Sequence, residues 1–393
     1  GATLAMLEPE LQQREDTLRV EETFAVRRLR AALAERDGAA AKAAQHELDR
    51  VREQLEGHRD RMHARQSAAA QLVDPQVDTL AATQGRLAAN EAQIHFAAVR
   101  GGLLAVVITR DAVRAMPIGK YAQLAAVLSR LTFEDPTSAW KEGWAALEAL
   151  VVTPLALPAN VERLTVVPAG RLDQLPFAAL WPGKQVTLVP SATIGRLLAT
   201  GSGSARGVLA IGDPESGQGP RLPSAAEEAA RVGNRTLTGK EASEVGVHDA
   251  LVAQKQRWRV VHFACHAQID PTHPLRSSLG LAPSADDDGL WTVAEILKTR
   301  VPAELVVLAA CSTAQGRAFE QEGRFGFVHA FFVAGATRVL ASLWDVDDRA
   351  TTAFVEQLHT ALRSGAAPSE ALRKAQAWMR SQKAWSHPAH WAG

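Results

Sequence analysis

The chain has 393 residues, 47% hydrophobic and 22% charged, with a formal net charge of zero. That length and balance fit two or three soluble domains, and the neutral charge gives no global reason to expect nucleic acid or an anionic membrane as partner. Two cysteines exclude a disulfide framework and point to a reduced, cytoplasmic setting, while no signal peptide is recognisable and no run approaches the ~20 apolar residues of a membrane span.

Residues 1–72 are rich in Ala, Arg, Glu and Gln. Leu4, Leu11 and Leu18 stand seven apart, and Leu48, Leu55 and Met62 repeat the step with Val51 between them. This spacing predicts an apolar stripe on a helix, and Asp37-Gly38 predicts a break. The expectation is a coiled-coil-like helical hairpin in a first segment, 1–89, each arm about 50 Å long at ~1.5 Å per residue. Its Arg residues alternate with Glu and Asp, the pattern of a solvated face, so a structural or partner-docking arm is expected. The opening GATLAM and the abrupt close at HWAG read as the cut ends of a longer chain.

A second segment, 90–200, changes texture. GLLAVVITRDAVRAMPIG (102–119) predicts a β-hairpin turning at Arg110-Asp111. Residues 121–152 return to a helical period. RLTVVPAGRLDQLPFAAL (163–180) reads as strand, turn and short helix, and TLVPSATIGRLL repeats that order.

GSGSAR (201–206) is a linker-like break, and a third segment, 201–393, alternates short apolar strands with helices. GVLAIGDP, WRVVHFACHAQID, AELVVLAACST and TRVLASLWDV read as strands. SAAEEAARVG reads as a helix capped by Ser224, WTVAEILKT as a helix with Thr292 near its start, and GFVHAFFVAGA as a buried helix. Continuous apolar strands suit an α/β fold with a parallel sheet covered by helices on both faces. Ligands of such sheets sit outside the carboxyl ends of the strands. Here those ends are Gly212-Asp213, Cys265-His266 and Ala310-Cys311.

In VHFACH, strand alternation puts His262, Ala264 and His266 on one face and Val261, Phe263 and Cys265 on the other. Cys265 is therefore expected in the core as a small hydrophobe. Cys311 stands at a strand end before Ser312, Thr313 and Gly316, where a thiol can reach a cleft. An imidazole within hydrogen-bond reach makes a thiol a useful nucleophile at neutral pH, and His266 is the candidate. From spacing alone, a buried core thiol and an ordinary loop histidine remain the plainer reading. A zinc site at His262, Cys265 and His266 is disfavoured, because the two histidines would stand ~13 Å apart along a strand and no C-x-x-C pair completes it. GSGS and ESGQG lack the Gly-Lys-Ser/Thr ending of a phosphate loop.

VVHFACHAQID, LVVLAACSTAQG, HAFFVAGATRVLASLWDVDD and SHPAHWAG, in that order, resemble the successive motifs of the CHAT domain. These are caspase-like cysteine proteases of clan CD, related to separase and often fused to TPR repeats. VPAGRLDQLPFAAL resembles the P-x-G-x-L-x-x-L-P-F-x-A-L element of the family's first half. The resemblance covers about 90–393. It implies a caspase-like α/β fold, with a degenerate caspase-like subdomain at 90–200 beside a catalytic one at 201–393. It carries the family's catalytic histidine onto His266 and its cysteine onto Cys311, and places the oxyanion hole on the backbone amides of Ala267 and Cys311. Where the family often has His-Gly, this chain has His266-Ala267. Ala keeps the amide, provided its backbone angles suit a Cβ.

The activity so implied is that of a cysteine endopeptidase, with no metal or organic cofactor; the rival is a catalytically silent scaffold that binds a partner protein. LWDVDDR resembles separase where that protease places an acidic pocket residue. Asp345 is thus expected to bind a basic residue before the cut bond, Arg above Lys, with Asp213 as a second acid and Trp344 as an apolar wall. The implied partners are a protein substrate, including gasdermin-like proteins encoded nearby in bacterial defence, and an upstream TPR or other helical regulator.

Overall fold

The computed structural model describes residues 9–34, 37–64, 77–100, 102–128, 138–199, 204–253, 257–270, 273–285, 287–309, 321–344 and 346–392. The chain divides into two compact units, Gly1–Val77 and Asp78–Gly393. Among the described residues no helix is long and apolar enough to cross a membrane.

The first unit is an antiparallel pair of helices, α1 (Pro9–Ala34) and α2 (Gly38–Ala64). Asp37 begins α2 by accepting the Ala39 and Ala40 amides at 3.0 Å each, satisfying donors that the first turn leaves unpaired. Leu18, Leu48, Val51 and Leu55 of the heptad stripe are buried; Leu4 lies outside the described residues. Arg28–Glu47 at 2.7 Å and Arg52–Glu22 at 3.0 Å bridge the helices at their rims.

The second unit holds two five-stranded sheets. The first has the order β3-β2-β1-β4-β5, from β1 (Glu91–Val99), β2 (Gly102–Thr109), β3 (Val113–Gly119), β4 (Arg163–Val167) and β5 (Gln185–Leu188). The expected hairpin is β2–β3. β1, for which the sequence pattern gave no signal, joins the hairpin to the parallel strands: it pairs antiparallel with β2 and parallel with β4. The LDQLPFAAL stretch supplies Leu172, Leu175, Phe177 and Leu180, all at most 2% exposed. Phe177 stacks on Phe96 at 5.6 Å and on Trp181 at 5.7 Å, which explains a motif of apolar residues at these offsets.

The second sheet is wholly parallel, in the order β13-β12-β8-β6-β7. Its strands are β6 (Ala205–Pro214), β7 (Arg235–Gly239), β8 (Arg257–Ala264), β12 (Ala303–Leu308) and β13 (Val339–Ala341). A small antiparallel sheet, β9 (Ala267–Gln268), β10 (Ser278–Gly280) and β11 (Leu290–Thr292), follows β8. The large sheet is covered on one face by α3 (Pro223–Val232), α6 (Asp348–Arg363) and α7 (Pro368–Ser381), and on the other by α4 (Glu244–Ala253) and α5 (Gln321–Ala334). The strand order reverses between β6 and β8, and that reversal opens a crevice at their carboxyl ends.

One local expectation is corrected. Ser224 does not cap α3: the helix starts a residue before it, at Pro223, with Leu222 at the cap position and no side-chain cap bond there. Proline is favoured in the first turn because its missing N–H would be unpaired anyway, and the Leu222 amide is taken by the carboxylate of Asp213.

The layer beneath α3 and α6 carries a buried polar group. His262 on β8 is fully buried and sits 2.8 Å from Glu228 on α3. Its ring meets that of His359 on α6 edge-on at 5.2 Å. Neither ring nitrogen of His359 has a hydrogen-bond partner, and burial pushes its pKa from 6.5 down to about 3. Between these values the unfolded chain binds the proton and the folded chain does not, so stability falls as pH drops from about 6.5 towards 3. His359→Leu should flatten this acid limb. The urea midpoint should fall less between pH 7.5 and pH 5 in the variant than in the wild type; equal falls would show that His359 carries none of it.

Candidate active site

The site is built on the end of β8. β8 lies between β6 and β12 in register, with Ile211 and Leu308 both opposite Phe263. Its side chains alternate between the two layers: Val261, Phe263 and Cys265 enter the layer under α4 and α5, and Val260 enters the other. Cys265 is 2% exposed and burial alone pushes its thiol up to about 12. A thiol so raised is not ionised at neutral pH, so Cys265 is a core residue, as alternation predicted.

His266 follows at the strand end and is 5% exposed. Its backbone carbonyl accepts the Gly280 amide at 2.8 Å, which fastens it to β10. Its side chain is fixed from the opposite direction, where Nε2 lies 2.8 Å from the Pro220 carbonyl oxygen. A carbonyl can only accept, so Nε2 carries the proton. In the neutral ring, Nδ1 is then the nitrogen with the basic lone pair. Gly219 packs against the same ring; a Cβ there would stand 2.9 Å from Nε2. The segment over the imidazole is thus ESGQGPR, which the sequence offered only as a failed phosphate loop. Its useful atom belongs to the main chain, and no side-chain pattern signals it.

Ala267 opens β9, opposite Leu279. Antiparallel ladders alternate bonded and non-bonded pairs. Because the His266–Gly280 pair is bonded, the Ala267 N–H is turned away from β10. Among the described non-glycine residues, only Ala156 and Asp213 have positive φ. Ala267 therefore accommodates its Cβ without strain, and the departure from His-Gly costs the backbone nothing.

Asp213, next to last in β6, is in the left-handed region at φ 46° and is 4% exposed. Its carboxylate accepts Arg221 Nε at 3.0 Å, Arg221 Nη2 at 2.7 Å and the Leu222 amide at 2.6 Å. The hydrogen bonds from Arg221 are the main cause holding its pKa below the usual carboxylate range. Both oxygens of Asp213 are thereby committed within the chain.

β12 ends beside β8, and the Ala309 amide donates to the Phe263 carbonyl at 2.9 Å. Cys311 and Asp345 lie outside the described residues. Trp344 is 7% exposed; its Nε1 donates to the Ala389 carbonyl at 2.8 Å, and it packs with Met379, Ala350 and Trp391. Asp347 caps α6, accepting the Arg349 and Ala350 amides at 3.1 Å each. Of the residues singled out in sequence, Asp213, His266 and Ala267 meet at the β6–β8 crevice. Among the described residues, no cluster of His, Cys, Asp and Glu has the geometry to hold a metal ion.

A family model described as the CHAT domain matches residues 137–393, more than half of the chain. The chain belongs to the CHAT family. Its parallel sheet between two helical layers is the caspase-like architecture of that domain. Tetratricopeptide repeat protein 28 of Mus musculus is 32% identical to it over 44% of this chain and 8% of its own length. Tetratricopeptide repeat protein 28 of Homo sapiens is 31% identical over the same shares. The chain thus spans only a small part of these relatives' length.

The packing of Gly219 on the imidazole can be tested directly. Gly219→Ala places a methyl 2.9 Å from His266 Nε2, too close for ordinary contact, so the ring or the loop must shift. The His266 ring resonances should move in a ¹H–¹⁵N spectrum of the variant, while those of buried His359 stay in place. Unmoved His266 signals would show that the loop has room for a side chain.

Proposed function

We propose that this CHAT domain is a cysteine endopeptidase working through a dyad of Cys311 and His266. The observation that carries this reading is the fixed imidazole. It stands at the carboxyl end of β8, with its Nε2–H tied to the Pro220 carbonyl, so the basic nitrogen is Nδ1. A base oriented by a third group is what an activated nucleophile requires. The ladder from β8 to β12 runs as far as Ala309. Cys311 follows Ala309 by two positions in the chain, and this closeness in sequence to a strand paired with β8 supports its choice as the nucleophile.

In this mechanism the Cys311 sulfur attacks the peptide carbonyl as thiolate. His266 takes up the thiol proton and later protonates the leaving amine, and water hydrolyses the thioester. The Ala267 and Cys311 amides receive the oxyanion; one such donor typically contributes about 3–4 kcal/mol to the transition state. The chemistry runs without a metal or organic cofactor and in the reducing cytoplasm, where the thiol persists. The substrate is a protein partner, a gasdermin-like protein encoded nearby being the class the family resemblance suggests. The TPR-containing relatives support a helical repeat as the regulatory neighbour of the domain.

The residue before the cut bond is basic, Arg above Lys, and Asp345 receives it. Asp213 and Asp347 both spend their carboxylates inside the chain, and Asp345 is preferred because it stands where the resemblance to separase puts an acidic pocket residue. Paired charge-assisted hydrogen bonds would favour Arg. Trp344, anchored to Ala389, would steady the segment that carries it.

Two experiments test the reading. Cys311→Ala should lower cleavage at least about a thousandfold with the fold intact, while Cys265→Ala keeps most of the activity. Equal loss from both, in folded proteins, would refute the assignment, and no labelling of Cys311 by a thiol-reactive peptide would favour the silent scaffold. In a peptide library varied before the cut bond, cleavage should concentrate after Arg. Asp345→Ala should cost far more against the Arg peptide than against a neutral one; robust cleavage after Leu or Met with none after Arg or Lys would rule out the acidic pocket.

A further inference from the structure

The segment over His266 is itself held by an ion pair. We propose that Asp213 and Arg221 form a latch that positions the catalytic imidazole, acting on it through the Pro220 carbonyl. The proposal deepens the protease reading and rests on it for the consequence in activity, though not for the geometry.

The argument starts from the chain path. Gly219, Pro220, Arg221 and Leu222 are consecutive, and the last two are held by one carboxylate. Asp213 takes the Arg221 guanidinium through Nε and Nη2 and the Leu222 amide at 2.6 Å. A paired fork of this kind fixes orientation as well as distance. The proline ring fixes φ of its residue, so once Arg221 and Leu222 are set, little freedom is left in the direction of the Pro220 carbonyl. That carbonyl is the group 2.8 Å from His266 Nε2. The near side of the loop is tied down independently, by the Glu215 amide to the Gly239 carbonyl at 3.1 Å and by the Gln268 amide group to Gln218 at 2.8 Å. The latch thus closes the far side of a loop whose near side is already anchored.

The two partners differ in their surroundings. Asp213 is almost fully buried, whereas the Arg221 side chain is 54% exposed and also meets Glu215 at 3.3 Å. Such an exposed arginine is a weak contributor to stability in general. Here it is bent back onto a buried carboxylate in a left-handed residue at the crevice where the strand order reverses. A merely stabilising pair would have no effect on the histidine; a latch must.

The test uses the whole chain and reads His266 directly. In the wild type, a long-range ¹H–¹⁵N spectrum should show an exchange-protected His266 Nε2–H. Asp213→Asn, a residue type that tolerates left-handed φ, and Arg221→Gln should each remove that protection. Where a cleavable peptide is at hand, they should lower kcat at least tenfold with KM changed less than threefold. Arg221→Lys, which keeps the charge but not the fork, should fall between. Should Asp213→Asn fail to fold, Arg221→Gln, altered at an exposed side chain, still decides the matter. Persistent protection of Nε2–H in a folded Arg221→Gln protein would overturn the latch. If protection is lost but wild-type Cys311 neither labels nor cleaves, the latch stands and the protease reading falls.

Discussion

The half of the molecule that holds the parallel sheet depends on β8 being hydrogen-bonded along both edges and covered on both faces. A strand in that position cannot slip: a one-residue shift would carry Phe263 and Cys265 into the layer that now holds His262, and the histidine into an aromatic layer. That layer is built on Phe263, 5.6 Å from Trp291 and 5.8 Å from Phe331, and replacing such a ring by alanine typically costs about 3–5 kcal/mol. The packing of one face therefore sets the register of the other, and the register sets where His266 emerges. The placement of His266 inherits its precision from apolar contacts along the preceding residues.

The opposite layer achieves the same end by polar means. Glu228 and His262 are nearly or wholly dehydrated, yet each supplies the other with a partner, so the desolvation of two polar groups is offset by a hydrogen bond in a medium that strengthens it. This bond joins the middle of α3 to β8, and the Asp213 carboxylate joins the start of α3 to the end of β6. The helix is thus fastened at two points to the strands that flank the crevice, and the loop leading into it has little room to drift.

Much of this was legible in the sequence. The α/β alternation and the face assignments within VHFACH follow from period-two patterning, and the position of His266 at an edge follows from the parallel sheet. Hidden from the sequence was the Pro220 carbonyl, a contribution that does not travel with a side chain, whereas the Ala267 amide was named only through the family resemblance. Pairings set by turn geometry were equally hidden. Asp213 and Arg221 stand eight positions apart, a distance with no regular meaning, and Ser224 was the natural cap until an acid upstream took the Leu222 amide. β1 escaped notice because its burial follows no clean alternation: Ala92, Gln93 and Ile94 are all buried in succession, as suits a strand covered on both sides. Trp344 pairs with Ala389, forty-five positions away, which no local pattern announces.

The depth of Cys265 has a practical consequence. Its side chain is 2% exposed in the buried cluster that also holds Phe263, Leu279 and Trp291, and it becomes reachable when that layer opens. The rate at which a small thiol reagent modifies it in the native protein is therefore a clock for sub-global opening of that layer. Compared with the reagent's rate on unfolded chain, it yields the free energy of opening under conditions where no denaturant is present. Nature has placed just past the end of β8 a built-in gauge of how firmly the sheet beneath the site is held.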